Sequence, residues 1–108
     1  MTTYYYILAS QRFLVEEEPL DEVFRERTRN YRETNKEIDF WLIKQPAFIE
    51  SLEFIEVKAR CPQPSVAIIS LNSEFITWLK LRLEYVIKGE FEAPSIYIVD
   101  PLASLGGV

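Results

Sequence analysis

Apolar and polar residues are arranged along the chain in blocks that predict four β-strands. The first block, Thr3–Ala9, is a run of aromatic and aliphatic residues typical of a buried strand. Residues 36–44 carry apolar side chains on both faces, which predicts a second strand covered at least in part on each side. Further apolar runs predict a third strand at Ser65–Leu71 and a last strand at Ser95–Val99.

A helical spacing of apolar residues follows the first strand. We predict a loop over Ser10–Glu18 and then a helix from Pro19 to about Thr34, because proline suits the first helical position. The acidic residues just before Pro19 complement the positive end of such a helix. Its single apolar stripe, at spacings of three and four, consists of Leu20, Val23, Phe24 and Tyr31.

Two further helices are predicted, at 51–59 and at 73–88. Asn72 or Ser73 can cap the second of these, and Gly89 lies where a C′ glycine belongs. The pattern as a whole indicates an α/β fold of the α+β type, with about four strands flanked by about three helices.

Composition and charge limit the class of protein. With 108 residues the chain has the size of a single domain, 1–108, and we expect its tail to be frayed from about residue 101. A net charge of −5 argues against nucleic acid and, more weakly, against anionic lipid. The sequence contains no apolar run long enough to span a membrane and no signal peptide at its start, which predicts a cytoplasmic protein.

The side chains needed for autonomous catalysis are scarce. The sequence has no histidine, one cysteine and one methionine, so we predict no metal site, no cofactor and no catalytic residue. The acidic run Glu16–Glu18 lacks the spacing of a cation-binding loop. Cys61 has no histidine to activate it and is interpreted as an inert structural thiol. These features favour a binding protein over an enzyme.

The third predicted helix has an unusually wide apolar arc. One half of the arc can pack on the sheet, which leaves Trp78, Tyr85 and Leu81 with Arg82 beside them. The helix is either buried on two sides, or it exposes an aromatic patch to a partner. A guanidinium inside an apolar arc needs a carboxylate, and Asp39 is the internal candidate to pair with Arg82. An Arg82–Asp39 pair that stabilises the fold and an aromatic patch that binds a partner are compatible with each other.

Long blocks covering nearly the whole chain resemble one family. It is the family first named hypothetical chloroplast reading frame fifty-four, found in cyanobacteria, algae and plants. The blocks that carry the resemblance are MTTYYYILASQRFLVEEEPLDEVFRERTRNYRE, EIDFWLIKQPAF, KARCPQPSVAIIS, FITWLKLRLEYV and FEAPSIYIVDPLASL.

The resemblance implies an antiparallel sheet flanked by helices and a role in chlorophyll biosynthesis. The implied function is that of an auxiliary or assembly subunit of the oxygen-dependent magnesium-protoporphyrin IX monomethyl ester cyclase, with no cofactor of its own. The implied partner is the membrane-associated di-iron catalytic subunit, which would hold the protein peripherally at thylakoid membranes. The family's partner-binding patch maps onto Asp39, Phe40 and Arg82, to which the apolar arc adds Trp78 and Tyr85.

Two other functions remain open. A tetrapyrrole carrier could stack its ligand on the 15 aromatic side chains of the chain (seven Phe, six Tyr, two Trp), although these are equally ordinary core material. An enzyme that uses only carboxylates would need two of them to converge. Di-iron sites of the carboxylate type use a Glu-x-x-His pair, so a chain without histidine can assist the catalytic subunit but cannot be it.

Overall fold

The structure is a computed structural model that describes residues 1–18 and 20–105. Its centre is a four-stranded antiparallel sheet that consists of β1 (Thr2–Ser10), β2 (Phe40–Lys44), β3 (Ser65–Ser70) and β4 (Ile87–Ala93). The strand order in the sheet is β2-β3-β1-β4. The predicted α+β fold with an antiparallel sheet is therefore confirmed, while Pro19 and the last three residues of the predicted frayed tail lie outside the described residues.

The alternation of side chains along the central strands builds two cores. In β1, Ile7 and Ala9 point to one face of the sheet and Tyr6 and Leu8 to the other. The first face is covered by α1 (Asp21–Glu33) and α3 (Ser73–Leu83). The second face is covered by the segment 47–60, which ends in α2 (Ile55–Arg60), and by Ile98.

Several predicted element boundaries are corrected by the structure. Residues 10–18 are not all loop, because Arg12–Glu17 form a π-helical turn that buries Leu14 in the first core. Two 3₁₀ turns, Ala47–Glu50 and Leu52–Phe54, precede α2, so only part of the helix predicted at 51–59 is α-helical. The second strand is shorter than predicted and begins at Phe40.

The helix predicted at 73–88 ends at Leu83, so Gly89 is not its C′ residue. Glu84 has a positive φ of 59° and is the centre of a γ-turn, in which the amide of Tyr85 donates to the carbonyl of Leu83. The ammonium of Lys80 closes the helix end by donating to the carbonyls of Glu84 and Val86. The chain then enters β4, whose inward residues are Ile87, Gly89, Phe91 and Ala93.

The strand predicted at Ser95–Val99 is also wrong. The position beside β1 is already taken by β4, and residues 95–98 form a turn instead. The hydroxyl of Ser95 accepts from the amides of Tyr97 and Ile98, which places Ile98 in the second core. Farther on, the carbonyl of Ala103 accepts from the amide of Ala47, so residues 101–105 lie against the segment that follows β2.

Gly89 provides a sensitive test of the second core. A Cβ at this position would lie 2.5 Å from Oη and 2.7 Å from Cζ of Tyr6. The Tyr6 ring is itself packed against Phe48 and Phe91 and has little room to move. We therefore expect Gly89→Ala to lower the free energy of unfolding by about 1–3 kcal/mol, measured by urea denaturation.

The matched background for this test is Tyr6→Phe, which removes the nearest of the clashing atoms. Gly89→Ala should cost less in that background than in the wild type. An equal cost in both backgrounds, or a Gly89→Ala protein as stable as the wild type, would contradict the packing described here.

Candidate functional site

The candidate site is a strip of side chains along the outer face of α3. The helix begins at the Asn72 cap, whose side-chain oxygen accepts from the amides of Glu74 and Phe75 at 2.9 and 3.2 Å. Phe75, Ile76, Leu79 and Leu83 face the sheet and are buried. The opposite side exposes Trp78, at 46%, and Leu81, at 73%, together with Arg82.

Aromatic rings connect this strip to the first core. Phe40 packs edge-on against Phe75 with ring centroids 5.7 Å apart, and Phe75 stacks on Trp78 at 6.3 Å. The guanidinium carbon of Arg82 lies 5.7 Å from the centre of the Trp78 ring, a cation–π geometry. Phe40 itself is only 5% exposed, so within the predicted patch it is a supporting core residue and not a surface contact.

Asp39 lies just before β2 and is partly buried. Its backbone carbonyl accepts from the amide of Leu71 and from the hydroxyl of Ser70, both at 2.9 Å. Its carboxylate accepts from the hydroxyl of Tyr31 at 2.8 Å. The backbone of Asp39 is thus fixed beside the start of α3, and the carboxylate keeps lone pairs for a further donor.

The predicted pairing of Arg82 with Asp39 is wrong. Asp39 is bound next to Leu71, before α3 begins, whereas Arg82 lies in the last turn of the same helix. The start of α3, beside Asp39, and Arg82 are ten helical residues apart, which corresponds to roughly 15 Å along the helix axis. The two salt bridges found within the described residues join other side chains, Arg12 with Glu17 and Lys58 with Glu50, and Arg82 is exposed to solvent over the face of Trp78.

The structure places Tyr85 at a different surface from Trp78. Tyr85 follows the γ-turn, is 83% exposed and lines a groove with Phe13 and Cys61. Trp78 lines the groove between α1 and α3. Tyr85 belongs to the predicted patch only if the helix continues to Lys88, and α3 ends at Leu83.

Arg27 is the residue of this region that the sequence analysis missed. Its guanidinium carbon lies 3.9 Å from the centre of the Phe75 ring and 5.1 Å from that of Tyr31. One terminal nitrogen donates to the hydroxyl of Tyr31 at 2.9 Å. The signal was available, because Arg27 stands three residues after Phe24 and four before Tyr31, within the apolar stripe of α1.

The thiol of Cys61 is buried, and this burial raises its pKa above that of a free thiol. The thiolate is the reactive form, so it is less populated at any pH below that raised value than in an exposed cysteine. We therefore expect native Cys61 to react with iodoacetamide at pH 8 much more slowly than the unfolded protein does. Cys61→Ser should retain partner binding, and a folded Cys61→Ser protein that no longer binds would refute the structural interpretation of this thiol.

Two properties of the described residues bear on other functions. Among residues 1–18 and 20–105, no group of three or more acidic, cysteine or histidine side chains is placed to hold a metal ion. No helix within the same residues has the length and apolarity needed to cross a membrane.

The fold and the site define a class of small α+β proteins in which an exposed helix face over a four-stranded antiparallel sheet is the candidate functional surface. The profile of one family, described as Ycf54 protein, matches residues 2–93 of this chain. A Ycf54-like protein of Synechocystis sp. PCC 6803 is 64% identical over 105 residues, which are 97% of this chain and 79% of that protein. The chain therefore belongs to the Ycf54 family.

Relatives from other sources agree with this assignment. The chloroplastic YCF54 protein of Arabidopsis thaliana is 38% identical over 96 residues, which cover 88% of this chain and 44% of the plant protein. The X-ray structure of the All0216 protein from Nostoc sp. PCC 7120 superposes with a TM-score of 0.95 at 68% identity and covers 96% of both chains. The family thus occurs in cyanobacteria and in chloroplasts, and its fold is the one described above.

Proposed function

We propose that this protein is a non-catalytic auxiliary or assembly subunit of the oxygen-dependent magnesium-protoporphyrin IX monomethyl ester cyclase, and that it binds and stabilises the di-iron catalytic subunit. Membership of the Ycf54 family supports the proposal through the role that the resemblance implies. The structural observation that carries it is the Trp78–Arg82 pair, an exposed indole with a guanidinium over its face.

The chemistry of this pair is that of a protein interface. Tryptophan and arginine are enriched among the few residues that supply most of the energy of protein association. Trp78 is backed by the buried ring of Phe75, so little side-chain freedom is left to lose when a partner binds. Asp39 supplies an acceptor near the other end of the strip, and a partner with one cationic and one anionic group at matching spacing would engage both ends.

The proposal places the protein at the thylakoid surface through its partner, on the cytoplasmic side in cyanobacteria and within the chloroplast in plants. Two observations are consistent with this: the described residues contain no helix that could span a membrane, and the Arabidopsis thaliana relative is named chloroplastic. Association with the membrane would then follow the catalytic subunit and disappear in cells that lack it.

The experiment is an affinity purification of the tagged chain from a cyanobacterial host, with the catalytic subunit measured in the eluate and its cellular level compared with and without the chain. We expect the subunit to co-purify and to fall in abundance when the chain is deleted. A purified chain that binds the porphyrin alone at micromolar concentration, but never the subunit, would instead support the tetrapyrrole carrier. Turnover by the chain without partners would make it an enzyme.

A further inference from the structure

The groove between α1 and α3 contains a guanidinium that forms no direct salt bridge within the described residues. It has a volume of about 520 Å³ and is lined by Arg27 and Phe75, with Trp78 on one side. The Nε of Arg27 is buried without a hydrogen-bond acceptor, and Nη2 donates to the hydroxyl of Tyr31, which in turn donates to the carboxylate of Asp39. Within the described part of the chain, neither salt bridge involves this guanidinium.

Aromatic rings hold this guanidinium in place. Its carbon lies 3.9 Å from the centre of Phe75 and 5.5 Å from that of Phe40. Both rings are buried, so the position of the charge is set by the core and not by a flexible surface partner. An arginine fixed on ring faces, without a direct carboxylate partner, can donate to a carboxylate that enters the groove.

We infer that Arg27 binds an aspartate or glutamate side chain of the partner protein, which enters the groove beside Trp78. This inference rests on the proposed function and adds a second contact to the strip of Trp78 and Arg82. The charge pattern around the groove favours a protein segment as the occupant. Glu26 and Glu74 also line the groove and are exposed, so they oppose a small free anion but can accept from basic or amide groups that a peptide segment brings with its carboxylate.

The first test replaces Arg27 by methionine and measures the affinity for the catalytic subunit together with the melting temperature. Methionine is unbranched and packs well against aromatic rings, so Arg27→Met should melt at or above the wild-type temperature. Affinity should fall at least about tenfold, because a carboxylate of the partner is left desolvated without its counter-ion. The matched control is Arg29→Met, the same change on the exposed outer side of α1, which should bind like the wild type.

A second variant covers the case in which Arg27→Met does not fold. Asn30 is exposed on the edge of the groove, one helical turn from Arg27, so the carboxylate in Asn30→Glu can occupy the guanidinium within the chain. Asn30→Glu should also lose at least about tenfold in affinity while melting no lower than the wild type. Arg32→Gln changes the net charge by the same amount on the same helix, away from this groove, and should leave affinity unchanged.

The outcomes separate this inference from the proposed function. If the wild type does not bind the catalytic subunit, the proposed function fails. If the wild type binds and the folded Arg27→Met or Asn30→Glu protein binds within threefold of it, only the role of Arg27 is overturned. A lower melting temperature with proportionate loss of binding would make Arg27 a purely structural cation. If Arg27→Met or Asn30→Glu lost binding of the porphyrin but still bound the catalytic subunit, the occupant of the groove would be a small molecule with a carboxylate, and the inference would be overturned.

Discussion

The change Arg82→Ala is expected to weaken binding of the catalytic subunit by at least about 30-fold while leaving the protein folded. Truncating one member of a desolvated charged pair costs about 2–5 kcal/mol of binding free energy, which corresponds to that factor or more. Folding should suffer little, because Arg82 is exposed and contacts the face of an exposed indole. Arg82 lies in the last turn of α3, where a positive charge interacts favourably with the helix dipole. Loss of this interaction should lower the free energy of unfolding by only about 0.3–1 kcal/mol.

The measurement requires thermal unfolding and partner co-purification on the same sample of Arg82→Ala. Arg29→Ala is the matched control, an exposed arginine on the outer side of α1 that should change neither quantity. A near-native melting temperature with loss of the partner supports the strip of Trp78 and Arg82 as the interface. Retention of the partner at full yield would remove Arg82 from the interface, and a collapsed melting temperature would make its role structural.

The fold could be predicted from the sequence wherever the pattern of apolar and polar residues within one segment determines its secondary structure. The strand at Thr3–Ala9 and the helix after Pro19 have dense, periodic apolar positions, and both are present in the structure. The end of α3 could not be found in this way, because residues 83–88 contain neither glycine nor proline and continue a helical pattern. The helix stops because Ile87 and the residues after it pair with β1, a contact between distant parts of the chain.

The strand β4, which is not predicted above, has a recognisable pattern in the sequence. From Ile87 to Ala93 the inward residues alternate with Lys88, Glu90 and Glu92, which is the period of a half-exposed strand. The same glycine also fits the C′ position of a helix, and this conflicts with the strand pattern. Gly89 is needed instead because the ring of Tyr6 lies across β4 at that point, and a side chain there would overlap it.

The candidate site was only partly accessible to sequence reasoning. Exposure of Trp78 and Arg82 follows from their place on the outer face of α3, which local periodicity gives correctly. The separation of Asp39 from Arg82 depends on which end of α3 lies beside β2, and this is set by strand pairing and not by periodicity. Arg27 lies within the apolar stripe of α1, but a stripe that is counted from apolar residues alone does not include an arginine.

The change Phe40→Ala is expected to have the largest effect on stability, and it tests whether Phe40 touches the partner at all. The ring is 5% exposed and packs against Phe24, Tyr31 and Phe75 at centroid distances of 5.4–5.7 Å. Truncating a phenylalanine in such a core costs about 3–5 kcal/mol through lost transfer energy and the cavity left behind. For a domain of this size, that lowers the melting temperature by more than about 10 °C.

Loss of partner binding in Phe40→Ala would therefore be a consequence of unfolding. The control is Phe40→Leu, which keeps most of the volume and should cost less than about 1.5 kcal/mol. Because the side chain does not reach the surface, the folded Phe40→Leu protein should bind the catalytic subunit as the wild type does. A Phe40→Ala protein that melts like the wild type but no longer binds would place this ring in the interface and contradict its assignment to the core. The strip of α3 would then extend to the edge of β2, and Asp39 with Phe40 would form its second anchor.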